Sequence, residues 1–175
     1  MVKFSSDVDI LKQEPILFSE LHLPWQVLAS GIGATLAGTA LTASDVNFES
    51  GGVSAGGVAY LSSADGSLDG AYEIVSVDSG TQLTVSVLRS DIADTPVAPP
   101  AADDVTYRVS TFAPQAGEAA FQLTEYFGIQ PGDPTSTITV DDIMDTEGLR
   151  RASALLVISS IYAMWTSRTD RETFW

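Results

Sequence analysis

Four carboxylates, Asp141, Asp142, Asp145 and Glu147, stand within one short stretch of the chain. Carboxylates placed this close can act as an acid and base pair or cut a glycosidic bond. They also stand just ahead of a long apolar run. There, helix capping and the positive end of the helix dipole account for acidic residues without any reaction. A second motif, Asp65-Gly66-Ser67-Leu68-Asp69-Gly70, has the opening of a calcium loop, with oxygen ligands at alternate positions and a bending glycine. The twelfth position should carry a bidentate Glu and carries Ser76 instead. Its flanks read as strands, so the segment reads as a hairpin loop.

Gly31, Gly33 and Gly38 in SGIGATLAG miss the spacing of a phosphate-binding loop, and no Lys-Ser/Thr follows them. They fit a flexible strand or turn. The single histidine, His22, sits between Leu21 and Leu23 and has too few partners for a triad or a histidine metal site. With no cysteine, thiolate metal sites, disulfides and cysteine nucleophiles are all excluded. The expectation is therefore no catalytic residue, no cofactor, no metal and no enzyme. Arg150 and Arg151 leave two pairings open: with Glu147 one turn away, or with acidic groups on an adjacent subunit.

Charge narrows the partners. Eight basic residues face 23 acidic ones, for a formal net charge of −15 over 175 residues. No Lys or Arg occurs between Lys12 and Arg89, and from Arg150 onward the sign reverses. Sequence-specific nucleic-acid binding needs cations against phosphates and is disfavoured. An acidic lumen around passing DNA, or a simply soluble surface, both suit this balance. Apolar residues make up 45% of the chain, ordinary for a folded protein. The start MVKFSSDVDI lacks the apolar core of a signal peptide. Ala152 to Trp165 is too short and serine-rich to cross a bilayer comfortably. A soluble chain made in the cytoplasm, with no membrane partner, is expected.

The elements that would carry these residues follow from periodicity. Ser6 or Asp7 can cap a helix through Val8, Ile10 and Leu11. Pro15 opens a second helix with Ile16, Leu17, Phe18 and Leu21 inward, and Pro24 ends it. Strands are predicted near 26–30, 39–44, 57–62, 71–77, 82–88 and 105–111. The clearest hairpin turns at Asp78-Ser79-Gly80-Thr81 and brings Val77, Val75 and Tyr72 near Leu83, Val85 and Val87. Six short strands suggest a small barrel or sandwich. Pro96, Pro99 and Pro100 mark an extended loop before the last strand. From Pro114 a helix shows the stripe Ala119, Ala120, Leu123, Tyr126 and Phe127, stopped by Gly128.

The last helix, about 147 to 168, is capped by Asp145 or Thr146. It is apolar nearly all round, through Leu149, Leu155, Leu156, Val157, Ile158, Ile161, Tyr162 and Trp165. Such a helix needs cover on more than one side, and a neighbouring copy would supply it. The aromatic end of RTDRETFW suits docking on a partner. The fold class is α+β: a short helical bundle, residues 1–24 plus 113–175, with an inserted small antiparallel β-barrel or sandwich at 25–112.

This layout has a short helical start, then a β module LTASDVNFESGGVSAGGVAYLSS…GAYEIVSVDSGTQLTVS. The phrase STFAPQ at 110–115 and two closing helices with an acidic linker follow. It resembles the head–tail connector (adaptor, neck) proteins of tailed bacteriophages and prophages. The resemblance covers most of the chain through loose motifs. It implies a non-enzymatic virion subunit at the neck, made in a host bacterium, in a homo-oligomeric ring that is commonly a dodecamer. Its partners would be the portal protein and tail or neck proteins, with DNA passing through unread. Packing between copies is assigned to Leu155, Ile158, Ile161, Tyr162 and Trp165, and partner docking to Phe174, Trp175, Arg150 and Arg151. Rival readings are a tail-completion or baseplate protein, and a carbohydrate- or surface-binding β module using Phe48, Tyr60, Tyr72 and Tyr107.

Overall fold

Alternation of apolar and polar residues closes a β-barrel. The computed structural model describes residues 2–20, 23–129, 135 and 137–172, with side chains in the last helix described to residue 166. The chain divides into two compact units, Glu14–Thr111 and Met1–Gln13 with Phe112–Trp175. The β unit therefore starts before Pro24, and the second short helix belongs to it rather than to the helical unit.

In the β unit, α2 (Ile16–Ser19) precedes a 3-10 turn at Pro24–Gln26 and six strands. These are β1 (Val27–Ala37), β2 (Ala40–Thr42), β3 (Val58–Ser62), β4 (Asp69–Ser79), β5 (Gln82–Ser86) and β6 (Ala102–Ser110). All pairs are antiparallel, and the closed order is β1-β2-β5-β4-β3-β6. Closure removes the exposed edges that would otherwise pair with other chains. Leu36, Leu41, Phe48, Leu61, Leu83 and Val105 fill the interior. Pro24 begins a turn rather than ending a helix, and Ile16 faces outward, while Leu17 and Phe18 are buried as expected. Leu21 and His22 lie outside the described residues.

The predicted β4–β5 hairpin forms, but its register carries a bulge. Val77 pairs with Leu83 as expected, whereas Ile74, not Val75, pairs with Val85. The irregularity between Ile74 and Ser76 takes one residue out of step and rotates Ile74 into the core. Glu73, next to Ile74 and in regular register with Ser86, is buried as well.

An unpaired buried carboxylate would be costly, and Arg89 removes that cost. Arg89 Nη2 lies 2.7 Å from Glu73 Oε1, and Nε donates to Oε2 at 3.2 Å. Arg89 Nη1 then donates to the carbonyls of Ile92 and Asp94 at 2.8 and 2.6 Å. The first cation after the long gap is thus an internal strut that ties the loop after β5 to the barrel. Its guanidinium is held charged chiefly by the Glu73 hydrogen bonds.

Gly31 is required by close approach. A Cβ there would lie 2.6 Å from Tyr107 Oη and 2.7 Å from Asp45 Oδ2. Tyr107 packs edge-on against Phe48 with ring centroids 5.8 Å apart, and donates to Asp45 at 3.1 Å. Burial first, then this hydrogen bond, pushes the Tyr107 phenol up to about 12. Arg108 stacks 5.1 Å from the Tyr60 ring and donates to the Phe18 and Ser19 carbonyls, fastening α2 to the barrel.

The helical unit holds α1 (Asp7–Gln13), α3 (Ala113–Tyr126) and α4 (Glu147–Glu172). Ser6 caps α1: its backbone N–H donates to Asp9 Oδ2 at 2.8 Å and its hydroxyl accepts from the Asp9 N–H at 3.3 Å. Gly128, with φ +74°, ends α3 where a side chain would be strained. The Gly128 and Ile129 N–H groups close back on Glu125 and Thr124, both at 2.9 Å. The buried face of α3 is Ala116, Ala119, Ala120 and Thr124. Tyr126 and Phe127 fall outside that face and are 85% and 52% exposed, against the predicted stripe. They lie at the helix end, where the capping turn carries them off the inward arc.

Replacing Glu73 with Ala leaves the Arg89 guanidinium buried without its counter-ion. It should cost about 3–5 kcal/mol of stability by denaturant unfolding. Converting both Glu73 and Arg89 to Leu should recover most of that loss.

Candidate functional site

α4 is a helix with two apolar seams. It spans 26 residues, about 39 Å at 1.5 Å per residue. Within its unit, α1 and α3 pack against it, and they have only 7 and 14 residues, about 10 and 21 Å. Among the described residues, each helix packed on α4 is shorter than α4 itself.

The local sequence explains how the helix starts. Asp145 Oδ1 accepts from the Gly148 N–H at 3.1 Å, and Glu147 occupies the first turn. Asp142 does similar work one step earlier, accepting from the Thr139 N–H at 2.7 Å and the Thr139 hydroxyl at 3.1 Å. Three of the four clustered carboxylates are thus spent on caps or an ion pair, and Asp141 is exposed.

The inner seam runs Arg150, Ala154, Val157 and Ile161 in 4-3-4 spacing. Ala154, Val157 and Ile161 are buried, and Ser153 beside them bonds Ser5 Oγ at 2.8 Å. Arg150 caps this seam electrostatically. It pairs with Glu147 on its own helix, and its Nε lies 3.9 Å from Asp9 Oδ1 on α1. Arg150 thus has ion-pair partners within the chain, while its side chain stays 39% exposed.

The outer seam runs Arg151, Leu155, Ile158, Tyr162 and Trp165 in 4-3-4-3 spacing. At 100° per residue these five share an arc of about 80°. That spacing is the one by which helices seat against other helices. Leu155 is 47% exposed and Trp165 38%, while Ile158 and Tyr162 are half-buried. Four of the five residues assigned to packing between copies thus line one seam. The fifth, Ile161, is 1% exposed and belongs to the inner seam, because it falls on Val157's side of the helix. Phe174 and Trp175, assigned to docking, lie outside the described residues. Phe121 on α3, 39% exposed, is an apolar residue that sequence reasoning passed over. The signal for separating the seams was present, since 150, 154, 157, 161 and 151, 155, 158, 162, 165 are two interleaved heptad tracks.

The β unit offers less. The Asp65 loop is a hairpin between β3 and β4. Its carboxylate accepts from the Ser63 hydroxyl at 2.6 Å, the Ser67 N–H at 3.0 Å and the Ser67 hydroxyl at 2.8 Å. These bonds, that from Ser63 foremost, pull the Asp65 carboxyl down to about 2. Asp69 accepts from the Tyr60 hydroxyl. Among the described residues no group of three or more His, Cys, Asp or Glu could hold a metal ion. No helix among them is long and apolar enough to cross a membrane. A groove of about 510 Å³ lies between Thr35–Ala37, Ser63–Ser67 and Ala101–Asp103, and it holds no aromatic side chain. Of the four aromatics considered for a sugar platform, Phe48 and Tyr107 are interior, whereas Tyr60 and Tyr72 are half-buried on the paired strands β3 and β4.

Compared with known proteins, the chain matches no protein-family model, no curated protein and no solved structure.

In the dissociated chain the two seams should respond differently to truncation. Ile161→Ala should cost about 2–5 kcal/mol in urea unfolding, whereas Leu155→Ala should stay near 0.5 kcal/mol.

Proposed function

We propose that this chain is a structural virion subunit, a head–tail adaptor that builds a ring of identical copies between portal and tail. The observation that carries the reading is the outer seam of α4. An apolar track in heptad spacing, left partly open by its own chain, is a packing surface in search of a helix-sized partner. A second copy is the partner that a homo-oligomer provides at no cost in new sequence. The resemblance to phage connector proteins supplies the ring, the portal beneath the capsid and the location in the neck.

In this reading the chemistry is geometric. Copies bury Leu155, Ile158, Tyr162 and Trp165 against one another, and the closed ring surrounds the path of the genome. The β unit carries twelve carboxylates against Arg89 and Arg108. Arg89 is buried with Glu73, and Arg108 is engaged by Tyr60 and two carbonyls. The remaining surface charge of that unit is negative among the described residues. A lumen of that sign repels phosphates and lets DNA slide without adhering. The aromatic-poor groove and the buried Phe48 and Tyr107 favour this role over sugar binding.

Leu155→Asp and Ile158→Asp place a charge in the seam and should abolish assembly. Native mass measurement should read a multimer for the unchanged chain and a single chain for both variants. Leu155→Asp, at an exposed position, should keep the unchanged chain's circular dichroism. Multimers of normal mass, or normal necks in particles carrying either variant, would overturn the proposal.

A further inference from the structure

We infer that Arg151 is the charge key of the outer seam, forming an ion pair with a carboxylate of a second copy of this chain. The inference rests on the assembly reading above and specifies its chemistry.

The molecule itself shows the rule. Each seam of α4 opens with an arginine one step apart, Arg150 for the inner and Arg151 for the outer. Arg150 reaches across to Asp9 on the helix that covers its seam, and pairs with Glu147 alongside. Arg151 heads the matching track, is exposed, and has no carboxylate within ion-pair distance among the described residues. Glu147, the neighbour one turn away that could have taken it, is occupied by Arg150. Among the described residues the first arginine thus has ion-pair partners within the chain and the second has none.

Charge selects the occupant. Arg151 lies near the middle of the seam's arc, so whatever covers Leu155 and Ile158 also meets a guanidinium. A partner lacking a carboxylate at that point would bury the cation uncompensated. A copy of this chain carries 23 acidic residues against eight basic ones and is well supplied. A parallel contact of seam on identical seam would bring two Arg151 side chains together, whereas an antiparallel or head-to-tail contact keeps them apart and lets each meet a carboxylate of the other copy.

The test compares the unchanged chain with Arg151→Glu and Arg151→Gln, by sedimentation at low and high sodium chloride. Arg151 is exposed, so both variants should fold with unchanged circular dichroism. The unchanged chain should form multimers that weaken with salt. Arg151→Gln should weaken association about tenfold and flatten its salt dependence, and Arg151→Glu should weaken it further. A second readout uses Arg151→Lys with a zero-length carbodiimide cross-linker on mixed light and heavy-isotope chains. It should give an amide between residue 151 and an acidic residue of the other isotope. Unaltered association and salt dependence in both variants would overturn the inference while leaving the apolar seam standing. Cross-links confined to one chain would overturn it in the same way. A chain that never self-associates, in any variant, would overturn both this inference and the assembly reading beneath it.

Discussion

The constraint on which the helical unit depends is a mismatch of lengths. α4 is a long rod, and the helices packed on it within its own unit are about a quarter and a half as long. Burying an apolar side chain stabilises by about 1.5–3 kcal/mol, so each track left open is a standing drive toward association. The inner track uses that drive on α1 and α3. The buried residues of the two packed helices are small on α3, Ala116, Ala119 and Ala120, and include Ala154 and Val157 on α4. The outer track has larger residues, as a surface that must reach a separate body would.

The β unit solves a different problem. It closes its sheet, so it has no edges to lend to neighbours, and its buried Glu73 and Arg89 pair with each other, while Arg108 Nε is buried without a hydrogen-bond partner among the described residues. Glu73 and Arg89 hold the proline-rich loop, and Asp45 with Tyr107 fixes the strand glycine at position 31. With both arginines engaged, the barrel presents acidic charge outward. In the proposed reading the two units divide the labour: the barrel shapes the surface and the open seam joins copies.

Much of this was legible in the residues. Six strands came from alternation, their ends from Gly, Pro and Asp, and the helix starts from Ser6 and Asp145. What escaped had specific causes. The β4 bulge is invisible to a period-two pattern, so Val75 was placed where Ile74 stands, and the Glu73–Arg89 pair, made between residues 16 apart, was missed. α2 is one turn long, too short for its own pattern to reveal that it packs on β3 and β4. Tyr126 and Phe127 fit the helical period but lie at the capping turn, beyond the reach of the packed face. On α4 the excess of apolar residues was plain, yet a count could not divide it. Position along two heptad tracks does, moving Ile161 inside and placing Arg150 at the head of the inner track.

The most direct test of the central claim is hydroxyl-radical footprinting of the unmodified chain, dilute and assembled, read residue by residue. The account predicts that labelling of Leu155, Tyr162 and Trp165 falls sharply on assembly, while exposed Ile32 on β1 serves as an internal reference. Equal labelling of the outer seam in both states would contradict it.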